Sequence, residues 1–376
     1  MSKIEFYIKY IFRNQNGGYN NWRFYFPLLG FTLGIIAVTL TFAIMQGMEN
    51  EVFKKLETIN FTSKILDSDF VMPDDKNFSF TIDGKAIVNN DGDYRVINVR
   101  SIEGFHRFKN NTLSKFLIQT SNDSNGVILG RGLASKLRVS VGDYIEMISP
   151  VDVSFITGIP TSAKVKVSDI FNLKLLNYDD SYIFTNLSFG ESLLKSSDKE
   201  IHSHLTPAQI KLIYPNVRSI ETWKDVHSDF ISAMSLEKLA FSSFGFLIIL
   251  LSAFSSFSIM CITVIRRVSE LGILRILGYS KNTIAGIYFL QSLLIGLIGG
   301  VIGIFISKSL IQLDNSNNFI GNIFSSELIF NFKLNISNLE IFIIYLIGLF
   351  IMLFAGIYPA VYASRIPILK SLNYNK

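Results

Sequence analysis

Four stretches of the chain carry no charge and are strongly apolar: 24–48, 239–265, 282–307 and 341–364. A helix rises ~1.5 Å per residue, so about 20 residues cross a ~30 Å hydrocarbon layer. Each stretch is long enough to span, and only a helix satisfies its backbone groups inside lipid. The first is longer than the apolar region of a signal peptide, and no small-residue cleavage site follows it. Gln46, Gly47, Met48 and Glu49 come next, so it reads as an uncleaved signal-anchor.

Charge orients these spans. Residues 1–23 carry Lys3, Lys9, Arg13 and Arg23 against Glu5. Loop 266–281 carries Arg266, Arg267, Arg275 and Lys281 against Glu270, and the tail 365–376 is purely basic. Segments 49–238 and 308–340 are slightly acidic. The positive-inside rule then places both termini and the 266–281 loop in the cytoplasm. The sequence predicts a cytoplasmic amphipathic segment at 1–23 and a first span at 24–48, with a stalk extension to about 60. An external domain fills 49–238. A second span (239–265), a cytoplasmic coupling helix (266–281) and a third span (282–307) follow. A short external loop (308–340), a fourth span (341–364) and a cytoplasmic tail (365–376) complete the chain. The fold class is an α-helical membrane protein with four transmembrane helices, one plus three, and a mixed α/β domain between the first and second.

Composition sharpens the picture. Of 376 residues, 49% are hydrophobic and 17% are charged, against roughly 25% charged in soluble domains. Mean hydropathy is +0.36. This excludes a disordered chain, and a lone Cys261 excludes a disulfide framework. The net charge of +5 reports topology, since no basic stripe interleaved with aromatics marks a nucleic-acid partner.

Within 49–238, strands are predicted at 127–129, 144–148, 164–167 and 182–185, with short helices at 133–137 and 189–194. Met48, Val52, Leu56 and Ile59 form one stripe at helical spacing, and Trp223, Val226, Phe230 and Met234 form another. Each stripe either packs on its own domain or joins the other in a paired stalk. Segment 150–160 is bracketed by Pro150 and Pro160 and sets Phe155, Ile156 and Ile159 near a hairpin tip. It either folds back on the core or protrudes to dock a partner.

Catalytic signatures are absent. The sequence has no G-x-x-x-x-G-K-[ST] phosphate loop, H-E-x-x-H, C-x-x-C or G-x-S-x-G, so neither ATP hydrolysis, a metal nor a cofactor of its own is expected. His202 and His204 flank Ser203 without an acidic or cysteine partner placed to complete a metal site. The spans lack ionisable residues, which argues against an ion-coupled carrier. Gly30 and Gly34, and Gly296, Gly299, Gly300, Gly303 with Ser307, form small-residue ridges. They serve packing within the chain or a meeting with a second permease subunit. In 266–281, Leu271, Leu274 and Leu277 repeat at three-residue spacing beside Glu270 and Arg275, and Gly278 stops the helix. That amphipathic element lies in the lipid interface or seats in a groove on a cytoplasmic protein.

The stretch Ser269-Glu-Leu-Gly-Ile-Leu-Arg-Ile-Leu-Gly-Tyr-Ser280, the glycine-rich third span and Tyr358-Pro-Ala-Val-Tyr-Ala-Ser-Arg-Ile-Pro367 resemble the cell-division/macrolide-exporter superfamily of ABC permeases. The first span with its exit Gln46-Gly-Met-Glu-Asn-Glu51, the 148–171 region and Trp223-Lys-Asp225 resemble one branch, the lipoprotein-releasing system transmembrane subunits. The resemblance implies a permease of the bacterial inner membrane. Its partners would be a separate ATPase subunit, in two copies and holding ATP and Mg, and a second permease, identical or paralogous. A periplasmic lipoprotein carrier, lipoprotein substrates and membrane lipid would complete the set. By position, Glu270, Leu271, Leu274, Arg275 and Gly278 would dock the ATPase, and Pro150, Phe155, Ile156, Gly158 and Pro160 would form a carrier-binding hook. Two other functions fit the superfamily: efflux of drugs, peptides or toxins, and signalling to cell-wall hydrolases.

Overall fold

The computed structural model describes residues 7, 10, 11, 22–66, 77–121, 126–153, 158–317 and 332–367. In chain order the elements are α1 (Trp22–Ile59), β1 (Ser63–Ile65), β2 (Phe78–Asn90), β3 (Asp93–Ile102), α2 (Phe105–Phe108), β4 (Leu117–Thr120) and β5 (Val127–Gly130). Then come α3 (Arg131–Leu137), β6 (Tyr144–Val153), β7 (Pro160–Phe171), α4 (Leu176–Ser181), β8 (Tyr182–Asn186), α5 (Leu187–Leu193), β9 (Glu200–Ser203) and α6 (Pro207–Ile213). The chain continues through β10 (Ile220–Thr222), α7 (Trp223–Val226), α8 (Ser228–Arg266), α9 (Val268–Ile276), α10 (Lys281–Asn317) and α11 (Asn338–Arg365). Two compact units result, one drawn from Met1–Glu49, Met234–Ser326 and Asn331–Lys376, the other mainly from Asn50–Ala233.

In the first unit, four helices are long and apolar enough to cross a membrane: Phe24–Glu57, Ser228–Arg266, Lys281–Asn317 and Asn338–Arg365. Phe31 and Ile35 of α1 pack with Ile249 of α8, Ile295 of α10, and Ile344 and Met352 of α11. Lipid supplies no hydrophobic drive between helices, so close backbone approach has to supply the contact. A Cβ at Gly299 would meet Phe31 and Thr32 at 3.2 Å, one at Gly303 would meet Ile35 at 3.0 Å, and one at Gly296 would meet Leu349 at 2.8 Å. Gly300 faces Tyr345, and Gly34 abuts the Ser252 hydroxyl. These glycines are thus occupied by packing within the chain, whereas Gly30 has no atom within 4 Å of its would-be Cβ. Hydroxyls inside the helices return to the backbone, as Thr39 does to the Ile35 carbonyl at 2.7 Å.

The second unit carries the strands and short helices of the mixed α/β domain the pattern predicts, and the structure sharpens that class: the strands close into a barrel and do not form a simple α/β sheet. Six strands form a ring in the order β2-β3-β8-β5-β7-β6 and back to β2. The β3–β8 and β5–β7 pairs are parallel and the others antiparallel. Closure pairs both edges of every strand, which open edges would leave exposed. The 13-residue β2 divides its second edge, giving Ile87–Asn89 to β6 and Phe78–Thr81 to β9. From there β9, β1 and β10 continue as an antiparallel flap, and β4 adds to β7. Ile82, Val99, Leu129, Met147, Val167 and Ile183 belong to the core cluster of this domain.

Two of the long barrel strands, β2 and β3, lie outside those the pattern predicts. Asp91 (φ 50°) and Gly92 (φ 91°) turn the hairpin between them, the left-handed pair a two-residue type I′ turn requires.

Candidate functional site

The elbow between the second and third long helices is α9. Gly278, at φ 90°, ends it. The Tyr279 amide donates to the Leu274 carbonyl at 3.1 Å and the Gly278 amide to the Arg275 carbonyl at 3.2 Å, a Schellman closure. Three of the residues carried over by resemblance face inward. Leu271 is 1% exposed and packs with Val264, Ile284 and Tyr288. Arg275 donates to the Ser364 carbonyl at 2.9 Å. Glu270 accepts from the Tyr10 hydroxyl at 3.4 Å and lies 3.8 Å from Arg267, whose guanidinium also covers the Tyr10 ring. Burial first, with Glu270 helping against Arg267, pushes the Tyr10 phenol up to about 12. Leu274 is half-buried.

The outward apolar face consists of Ile273, Ile276 and Leu277, the last 70% exposed. The three-residue spacing of Leu271, Leu274 and Leu277 hides this. On a helix each such step turns 300°, so the row drifts ~60° per step and ends on the opposite side. Plotting 273, 276 and 277 on the same wheel reveals the second stripe.

At the candidate hook, β6 and β7 pair from Tyr144↔Lys166 to Ile148↔Ser162, then slip before Val153↔Pro160. The slip places extra residues on β6, a bulge that bends the hairpin. It also turns Asp152 inward, where the carboxylate accepts from the Ser149 hydroxyl at 2.8 Å and the Ser196 amide at 2.9 Å. Burial pushes this carboxyl up, but the bonds from Ser196 and Ser149 outweigh it and hold it below its usual value. Pro150, Gly158 and Pro160 are exposed, as are Val151, Val153 and Ile159. Gly158 adopts φ 68°. Phe155 and Ile156 lie outside the described residues.

A third cluster escaped the sequence reading. Where α1 ends, a cavity of about 210 Å³ is lined by Asn60, Lys64, Arg100, His202, Trp223 and His227, among others. Arg100 pairs bidentately with Asp83, at 2.9 and 2.7 Å, and donates to the Asn60 side chain at 2.8 Å. Burial works against the Arg100 charge, but Asp83 holds its pKa above the usual value. Lys64 meets Glu200 at 2.7 Å, and His202 meets the same carboxylate at 3.1 Å. Burial raises Glu200, yet His202 and Lys64 bring it down to about 2. Among the described residues no group of three metal-ligating side chains is poised to hold an ion.

Four membrane-length helices, with an elbow between the second and third and a β domain after the first, define a membrane permease. Residues 242–368 match the family of the FtsX-like permease C-terminal domain. The chain is similar to the lipoprotein-releasing system transmembrane protein LolC of Xylella fastidiosa at 22% identity, covering 98% of this chain and 97% of that one. It is similar to LolC of Neisseria meningitidis at 23%, covering 79% of each, and to LolE of Haemophilus influenzae at 22%, covering 74% and 75%. The family match and these relatives together support an ABC permease of the LolC/LolE type.

Proposed function

We propose that this chain is the permease subunit of an ATP-driven complex that extracts lipoproteins from the bacterial inner membrane and hands them to a periplasmic carrier. One observation carries this reading. The likeness to lipoprotein-releasing proteins runs through 98% of the chain, β domain and hook included, and does not stop at the permease region 242–368. Efflux and signalling permeases share that region; the lipoprotein branch is distinguished by what precedes it.

The basic flanks of the spans put both termini and α9 in the cytoplasm, and the barrel outside. Ile273, Ile276 and Leu277 offer an apolar face to a separate ATPase, while Glu270, Leu271 and Arg275 hold the helix to its own bundle. Two ATPase copies and a second permease complete the assembly, and ATP and Mg bind on the ATPase. The exposed apolar residues of the hook seat the carrier. Each buried CH₂ costs about 0.8 kcal/mol to move from lipid to water, so a multiply acylated protein needs driven extraction. ATP-driven closure below moves α9, and the long helices transmit the movement to the barrels. No substrate crosses the bilayer, in keeping with spans free of charge.

The test is co-purification of the tagged full chain in mild detergent. An ATPase comes down with the parent and is lost with Leu277→Asp, whose side chain is exposed and leaves folding intact. Absence of any ATPase with the parent contradicts the assignment.

A further inference from the structure

The cluster at the end of α1 is self-contained in charge. Lys64 is matched by Glu200 and Arg100 by Asp83, so the cavity beside them calls for no ligand. What the cluster does do is grip a helix end. Ile59, fully buried, is the last residue of α1. Its carbonyl faces the Arg100 guanidinium at 3.5 Å, and the next residue, Asn60, accepts from Arg100 and donates to the Tyr178 hydroxyl at 2.8 Å. A buried cation at a helix C-terminus meets the negative end of its dipole. The other two guanidinium nitrogens hold Asp83, which faces Arg100 directly across the β2–β3 hairpin. One planar fork therefore binds the helix end and the barrel wall at once, which an ammonium cannot do with the same geometry. A turn earlier, Lys55 donates to the Leu173 carbonyl at 2.9 Å, a second tie to the segment after β7.

We propose that Arg100 is a positioning residue that locks the end of α1 to the β barrel, so that movement of α1 displaces the barrel instead of bending the joint. This rests on the lipoprotein-release reading for its consequence, though the joint itself can be measured separately.

The test uses the full-length chain in its complex with the co-purified ATPase, in a Cys261→Ser background. Spin labels at Glu57→Cys and Lys85→Cys, both exposed, report the distance from α1 to β2. Reconstituted with ATP, a soluble carrier and a triacylated fluorescent lipopeptide, the same complex gives lipopeptide released per ATP hydrolysed. In Arg100→Met the distance distribution widens at least twofold. Release per ATP falls at least fivefold while ATP hydrolysis stays within twofold of the parent, a split that a folding defect would not give. Arg100→Lys keeps the charge but not the fork and does not restore coupling. An unchanged width, or unchanged release per ATP in a parent that releases lipopeptide, overturns the proposal. A parent that releases none while Arg100→Met still widens the distribution overturns the lipoprotein reading and leaves the joint standing. Should Arg100→Met fail to fold, Asn60→Ala, which removes no charge, carries the same two readouts.

Discussion

Two helices join the β domain, and they are rooted in it unequally. The end of α1 buries Val52, Leu56 and Ile59 on one face, and Lys55, Asn60 and Arg100 add polar ties at its last turn. The start of α8 is more lightly footed: the His227 ring just before it meets the Tyr178 hydroxyl at 3.4 Å, and Lys238 pairs with Glu49 of α1 at 3.1 Å. Phe230 is 39% exposed and Val226 54%. The helical path breaks at His227, between α7 and α8. Its main anchor is Trp223, 6% exposed, whose ring meets Phe53 of α1 edge-on at 5.7 Å. The two apolar stripes look alike in sequence, yet one is a buried face and the other is largely exposed beyond Trp223. A root buried along a whole face transmits load; a root with one buried aromatic and an exposed stripe can pivot more readily. The pairing of arms thus combines a stiff one and a compliant one.

The sharpest way to break this comparison is Trp223→Ala. Loss of a buried Trp costs about 3–5 kcal/mol, and because Trp223 is the main apolar anchor, amide exchange across 224–234 accelerates toward the corresponding factor. Protection there that survives would show that the second root's other supports suffice. Ile59→Ala costs about 2–5 kcal/mol, but exchange at 53–57 stays slow, because Val52, Leu56 and Arg100 remain.

Acid separates the roots more gently. Burial, then Arg100, lower the His227 pKa below 6.5, so the folded domain disfavours its protonation. Its contribution is complete above 6.5 and is lost as pH falls through the depressed value. The stability difference between parent and His227→Gln should therefore shift as pH drops below 6.5. Glu200, held at about 2 from an ordinary 4.5, contributes fully above 4.5 and loses that contribution only as pH falls toward 2; Glu200→Gln converges on the parent over that lower window. The smallest effect belongs to Phe230→Ser, within about 0.5 kcal/mol; a larger loss would show that the second stripe is buried after all.

What the sequence revealed depended on the range of the forces involved. Spans announce themselves because lipid excludes charge from twenty neighbouring residues at once. The elbow was visible as an element, but its outward face was not, since Leu271 and Leu277 look equivalent until placed on a wheel. Barrel closure is non-local: β2 meets β6 through pairs such as Ile87↔Ile148, and no local pattern marks that contact. The joint was within reach. Asp91-Gly92 is a strong hairpin signal, and folding the chain about it sets Asp83 opposite Arg100, an opposite-charge cross-strand pair. Burial of Arg100 under the end of α1 could come only from the tertiary structure.

The central claim is that this chain is a lever driven by another subunit. Its most direct measurement is transfer of a triacylated lipopeptide from proteoliposomes holding the purified complex to a soluble carrier. The account predicts transfer that requires ATP and the ATPase subunit, with no nucleotide turnover by this chain alone. Transfer that proceeds without ATP, or hydrolysis by the isolated chain, would contradict it.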